Sequence, residues 1–380
     1  MNKIIEGIKD SKSIELMLKA NALKDAGIDI ISLAGGEPDF ATPNLIKQKA
    51  IEEINNNNTH YAVGKGIIAL RKAISKKLME ENGVSVSEDE IIVTPGAKMA
   101  IYLAVHACIS HGDEVLILTP SWVSYSEIVK SAGGTPVEVK LDSNDKYRLK
   151  QELLENKTTS KTKMIIVCSP NNPTGRVLSE EEISELIRFA KDKDIIVLSD
   201  EIYEKIVYDG KKNISLASKH ELYSKTLTVN GFSKAFAMTG WRLGYIAGPA
   251  NIINSIYKLF IHTVTGTPPF IQEAASLAFE CEKEISEMVA EFERRKKYFV
   301  SQLKDIKEIN VFEPEGTFYV WVKFNTIERP AEYLLNKAGV ICIPGEAYGT
   351  GFEKFVRFSI SSDMKNIEEA VKRIRTAFGY

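Results

Sequence analysis

What this 380-residue chain has little of narrows its reading first. It carries only four cysteines, Cys108, Cys168, Cys281 and Cys342, far apart and mostly within apolar runs. No CxxC pair or dense spacing is present, so neither a disulfide framework nor a zinc ribbon fits, and free thiols in a reducing, cytoplasmic compartment are expected. Charge of one sign is missing too: 49 basic against 51 acidic residues leaves −2. A balance so near zero gives no electrostatic footprint for nucleic acid or an anionic membrane surface. There is no apolar run long enough to span a bilayer, and the opening Met1-Asn2-Lys3-Ile4-Ile5-Glu6 lacks the uninterrupted apolar core of a signal peptide. No internal repeat is visible, and low complexity is confined to the polar stretch Asn55 to Asn58. With nucleic acid and membrane set aside, a small-molecule partner is expected.

What is there is an α/β pattern. From Ile91 to Gly248, short β-branched runs alternate with helical segments: Ile91–Val93, Val115–Leu118, Met164–Val167, Ile195–Leu198, Leu227–Val229 and Tyr245–Ala247. Such runs predict a mainly parallel sheet covered by helices on both faces. Ser179 followed by Glu180-Glu181-Glu182 reads as a capping box opening an amphipathic helix to about Lys191. Thr42-Pro43 reads as an N-cap and first helical residue, with Ile46, Ala50 and Ile54 on one face. A long charged amphipathic stretch through Glu291 to Leu303 serves as a connector. Strands at Phe318–Val322, Val340–Ile343 and Phe355–Ser359 and a helix over Lys365–Phe378 follow. A chain of this length exceeds one comfortable core, so two domains are predicted. Residues 42–285 form the large one and 286–380 a smaller α+β one, which residues 1–41 join as an arm, making it discontinuous.

The chemistry-bearing residues fall just past the C-terminal ends of those strands, the edge where open α/β sheets bind ligands. Thr94-Pro95-Gly96-Ala97-Lys98 turns into an apolar helix whose free N–H groups suit a phosphate, although a glycine there is also ordinary turn chemistry. Thr119-Pro120-Ser121-Trp122 offers a flat side chain for a planar ligand, or simply a core tryptophan. Ser169 to Gly175 is dense in turn residues and would hold the Asn172 amide rigidly; a surface turn is the bland alternative. Asp200 follows four apolar residues, and a buried carboxylate needs a cation, a hydrogen-bond partner or a cap role. Lys234 sits in Gly231-Phe232-Ser233-Lys234-Ala235-Phe236, where desolvation would free its amine for Schiff-base chemistry, and Arg242 is a candidate anion clamp.

In this order and spacing, Asn172-Pro173-Thr174-Gly175, Asp200-Glu201-Ile202-Tyr203 and Ser233-Lys234-Ala235-Phe236 resemble the fold-type I, class I/II aminotransferases, especially the aspartate and aromatic aminotransferase branch. The likeness runs from Leu33-Ala34-Gly35-Gly36-Glu37-Pro38-Asp39-Phe40 to Phe355-Val356-Arg357-Phe358. It implies a pyridoxal 5'-phosphate (PLP) enzyme with Lys234 as Schiff-base lysine and proton carrier, and Asp200 on the pyridinium nitrogen. Asn172 and Tyr203 would meet the phenolic oxygen and Trp122 would stack on the ring. The phosphate would be held by Gly96, Ala97, Lys98, Ser233, Arg242 and Tyr61 of a neighbouring subunit, so a homodimer with shared sites is implied. Gly36, Trp122, Asn172 and Arg357 would bind substrate, Arg357 as the α-carboxylate clamp. One departure is Gly231, where many family members carry a phosphate-binding Ser or Thr.

The resemblance implies ping-pong transfer from an L-amino acid, aspartate or an aromatic one, to 2-oxoglutarate; a C–S lyase or another PLP reaction on the same scaffold is the alternative. A DNA-binding regulator built on such a domain is disfavoured by the charge balance. For an acidic side chain, Lys98 and Lys12 are the visible candidate cations, each also readable as a structural or exposed lysine.

Overall fold

The computed structural model describes residues 3–8, 10, 15, 18–19, 22–23, 25–62 and 64–380. Lys12 lies outside the described residues.

Thirteen strands are described: β1 (Ile31–Ser32), β2 (Ile91–Thr94), β3 (Glu114–Thr119), β4 (Thr135–Lys140), β5 (Thr162–Cys168), β6 (Ile196–Asp200), β7 (Thr226–Gly231), β8 (Gly244–Ala247), β9 (Ile309–Phe312), β10 (Tyr319–Phe324), β11 (Val340–Ile341), β12 (Ile343–Pro344) and β13 (Phe355–Ser359). Seven make one sheet in the order β2-β8-β7-β6-β5-β3-β4. Every pairing from β4 across to β7 is parallel, and β8 runs against both its neighbours. The continuous apolar runs arise because β2, β7 and β8 are buried at every position and β3, β5 and β6 nearly so. One face packs on the helix Ala97–Cys108, whose Ala100, Ile101, Leu103, Ala104 and Val105 are all buried; the other packs on Ile183, Leu186 and Phe189 of the helix Glu180–Ala190.

β4 was not expected. It is an edge strand, largely half-buried, and its Thr-Pro-Val-Glu-Val-Lys sequence lacks the apolar continuity of the others. The capping box at Ser179 forms as predicted: its side chain accepts from the Glu182 N–H and Glu182 reaches back to the Ser179 N–H. Thr42 is a correction. The helix Asn44–Asn55 is entered through Pro43 without a side-chain cap. The Thr42 hydroxyl instead donates to Ala237 O (2.8 Å) and accepts from Trp241 Nε1 (3.1 Å), binding this turn to the chain around Lys234. Ile46 and Ala50 are buried as predicted, whereas Ile54 is exposed.

The second sheet is antiparallel, in the order β12-β13-β10-β9. Beside it β1 pairs in parallel with β11, so residues near the start of the chain lie with residues 340–341. The connector is the 23-residue helix Glu282–Lys304, about 35 Å long at 1.5 Å per residue. Its buried Phe292 meets Phe40 edge-on (5.2 Å) and Phe318 (5.3 Å), joining the N-terminal segment, the helix and the residue before β10. Phe292→Ala should therefore destabilise the protein by about 3–5 kcal/mol, the range for emptying a buried aromatic position. Urea denaturation read by fluorescence checks this, and a loss below about 1 kcal/mol would show that the joint closes up around the cavity.

Candidate active site

The parallel strands β3, β5, β6 and β7 end along one edge of the large sheet, so Trp122, Asn172, Asp200, Tyr203 and Lys234 all follow strand ends. Asp200 is the last residue of β6 and is buried. Its Oδ2 accepts from the Tyr125 hydroxyl at 2.6 Å and its Oδ1 from the Ile202 N–H at 3.2 Å. Burial pushes its pKa up, opposed by the Tyr125 hydrogen bond, the Ile202 N–H and the charge of Lys234. Such a carboxylate stays ionised best against a cation supplied inside the site. Tyr125 itself meets Trp122 edge-on at 5.3 Å. The sequence reading missed Tyr125; its position three residues after Trp122 was the available signal.

Lys234 is half-buried, and its Nζ donates to Gly36 O. Its pKa is lowered to about 8, chiefly by burial and then by the positive charge of Arg357. At pH 7 that leaves roughly a tenth of the amine neutral, against about one in three thousand for an ordinary lysine. Its Nζ lies 5.9 Å from the ring centres of both Tyr203 and Phe318.

The expected phosphate seat is backbone. Gly96 enters the helix Ala97–Cys108 at φ +84° with no side-chain cap, leaving the helix start to an anion. A Cβ on Gly96 would stand 2.6 Å from Arg242 Nη2, so only glycine lets that guanidinium lean over the turn. Arg242 is held by Thr239 O (3.0 Å) and, at longer range, Pro95 O (3.5 Å). Guanidinium and uncapped helix start therefore converge on one cradle, and the residues present fit a phosphate. Gly231 lies inside β7, where a Cβ would come within 2.9 Å of Gly244 Cα. No side chain fits there, so no hydroxyl from position 231 joins the seat. Ser233 is buried, its carbonyl accepting from Met238 N–H at 3.2 Å.

Arg357, on β13, is buried among three separate parts of the chain. Nη1 donates to Asn172 Oδ1 (3.2 Å), Nη2 donates to Ala34 O (2.9 Å) and Gly35 O (3.2 Å), and the guanidinium lies 4.0 Å from the centre of the Tyr319 ring. Among the described residues its Nε is buried without a partner. A buried donor left over on a fixed fork is the chemistry that a ligand carboxylate satisfies. Asn172 is steadied by the turn before Gly175, where Asn171 Oδ1 accepts from the Thr174 N–H and hydroxyl. Because its Oδ1 serves Arg357, its amide N–H groups remain for a ligand. The Tyr203 hydroxyl is 3.0 Å from that of Tyr319, another residue the sequence reading missed.

Gly36 is exposed beside this cluster, and Lys98 holds its ammonium 4.9 Å from the centre of the half-buried Trp122 ring. Tyr61 is not brought to the site of its own chain by any described contact; it is 88% exposed.

A family model described as Aminotransferase class I and II matches residues 28–374. The chain is 40% identical to a bifunctional aspartate aminotransferase and glutamate/aspartate-prephenate aminotransferase of Petunia hybrida, over 98% of this chain and 81% of that one. It is likewise 40% identical to an aspartate aminotransferase of Pyrococcus abyssi, over 91% of each. The solved structure of Thermus thermophilus aspartate aminotransferase with maleate superposes with a TM-score of 0.93 at 36% identity, covering 99% of both chains. With the match spanning nearly its whole length, the chain belongs to the class I and II aminotransferase family and is a PLP-dependent transaminase.

Proposed function

We propose that the protein moves the amino group of L-aspartate to 2-oxoglutarate by a ping-pong cycle, with Lys234 as the residue that binds PLP covalently. The observation that carries this is the convergence of a low-pKa lysine, a buried carboxylate and a buried arginine with a free donor at one sheet edge. When bound, the cofactor supplies an electron sink for the pair left at the substrate Cα once its proton is removed.

The residues divide the remaining work. Asp200, desolvated and oriented by Tyr125, keeps a proton on the pyridine nitrogen by offering it an anion. Arg357 takes the substrate α-carboxylate in place of backbone carbonyls, while the Asn172 amide and the Tyr203 hydroxyl meet the phenolic oxygen. Lys234, neutral in appreciable fraction near pH 7, takes the proton from Cα and returns it to the cofactor side. The backbone at Gly96, Ala97 and Lys98, with Ser233 and Arg242, surrounds the phosphate. Trp122 stacks on the ring and excludes water from that face. The exposure of Tyr61 suits delivery to the phosphate of a second copy, in a homodimer with shared sites.

The division into residues 42–285 and a smaller unit of 286–380 with 1–41 is supported by the two sheets and by the β1–β11 pairing. No helix among the described residues is long and apolar enough to cross a membrane. All four cysteines are free, in keeping with a cytoplasmic setting.

Aspartate is favoured as donor because Lys98 sets a cation over the Trp122 ring, and in this reading that cation takes the second carboxylate. Lys98→Met should lower kcat/KM for L-aspartate by about 10- to 100-fold, the worth of a charged hydrogen bond, while L-phenylalanine changes little. Equal losses for both donors would place Lys98 on the cofactor instead.

The direct test of the reaction is the visible spectrum of the purified protein before and after excess L-aspartate without any oxo acid. A shift to the pyridoxamine form is expected; an unchanged band would mean another donor. Loss of nitrogen as ammonia, with none appearing on added 2-oxoglutarate, would mean a lyase.

Capture of PLP by the apoprotein should quicken with pH up to a midpoint near 8, falling about tenfold per pH unit below it, because only the neutral Lys234 amine attacks. Stopped-flow absorbance checks this. A midpoint near that of free lysine, or undiminished covalent capture by Lys234→Ala, would remove Lys234 from the role.

A further inference from the structure

Tyr319 opens β10 and is almost wholly buried. The β10–β13 register sets Trp321 opposite Arg357 and Tyr319 opposite Ser359, so Tyr319 and Arg357 are diagonal neighbours on one face of the small sheet. The guanidinium carbon lies 4.0 Å from the Tyr319 ring centre, a close and desolvated cation–π contact. At its other end the Tyr319 hydroxyl is 3.0 Å from that of Tyr203, with the rings edge-on at 5.7 Å. One side chain therefore touches both the arginine assigned to the substrate carboxylate and the tyrosine assigned to the phenolic oxygen.

Burial pushes both phenols up, and the Arg357 charge opposes it at each, first among the charges at Tyr319 and behind the push from Tyr319 at Tyr203. The two hydroxyls share one hydrogen bond, and with Tyr319 as its donor the Tyr203 O–H is left to point elsewhere. The other groups acting on this pair are Cys168, at the end of β5, and Lys234, whose Nζ is 5.9 Å from the Tyr203 ring centre.

We propose that Tyr319 is a positioning residue for the transamination. Its ring braces the Arg357 guanidinium, and its hydroxyl aims the Tyr203 O–H at the phenolic oxygen of the cofactor. Carboxylate capture and the proton affinity of the cofactor–lysine linkage are thus set by the same side chain. This rests on the assignments of Arg357 and Tyr203 made above.

Two variants of the holoenzyme separate the two ends. A donor aimed at the phenolic oxygen favours its proton-free form, so losing the aim raises the pH at which the visible band changes. Tyr319→Phe keeps the ring and removes the hydroxyl. It should raise that midpoint by about half a pH unit or more, while the Kd for succinate, a dicarboxylate without an amine, stays within about twofold. Tyr319→Leu removes the ring as well and should also weaken succinate about five- to thirtyfold. An unmoved midpoint in the first variant, or unchanged succinate affinity in the second, overturns the proposal. Tyr203→Phe and Arg357→Lys are the controls. If they move midpoint and affinity while the Tyr319 variants do not, the coupling alone falls; if they move neither, the site assignments fall and the coupling with them.

Discussion

A guanidinium taken out of water has to be hydrogen-bonded by whatever surrounds it, and Arg357 makes the rest of this structure answer to that requirement. Its partners come from the N-terminal segment through Ala34 O and Gly35 O, from the loop after β5 through Asn172, and from the small sheet through the Tyr319 ring. None of these segments is near another in sequence. Displacing any one strips an acceptor or a face from a buried cation, so the three are held in mutual register where the substrate is proposed to bind. The Nε, unpartnered among the described residues, leaves one donor of the fork over.

The N-terminal segment is fixed on both sides of that point. Ser359 N–H donates to Leu33 O, Lys234 to Gly36 O, Thr239 to Glu37 and Arg295 to Asp39, and the Thr42 hydroxyl reaches Ala237 O. Ten residues thus cross from the small sheet to the loop that carries Lys234, tied at nearly every step. One of these ties uses a cation of the site itself, Lys234. The backbone of this segment solvates charges that would otherwise be stranded, and it lies where carboxylate and amine chemistry is proposed to occur.

Much of this was legible in the sequence where burial is uniform. β2, β3, β5, β6, β7 and β8 read plainly because strands covered on both faces are continuous apolar runs, and the turns after them are compositionally odd. β4 failed that test, because an edge strand need not be apolar. Thr42 was misread because Thr-Pro before an apolar periodicity is a sound local cap signal, while its actual partners, Ala237 and Trp241, lie almost two hundred residues away. Tyr125 and Tyr319 were missed for the same reason. Each looks like a core aromatic locally, and its function lies in a hydroxyl bonded 75 or 116 residues away. Sequence pattern locates the strand ends; it does not say which aromatic hydroxyls meet there.

Gly231 illustrates how packing can override a family pattern. With Gly244 opposite it on β8, the two strands approach closely enough that a Cβ at 231 would press on Gly244 Cα and Leu243 O. A Cβ at Gly244 would in turn meet Ala97 N at 2.5 Å. The contact continues from β7, the strand that leads to Lys234, across β8, to the uncapped start of the helix Ala97–Cys108. Glycine at these positions removes the side chains that could hold an anion, and it brings the helix start close to the strand that leads to the lysine. An anion in this cradle would therefore meet backbone N–H groups and Arg242, whose positions the sheet itself fixes, with no hydroxyl from position 231 beside them.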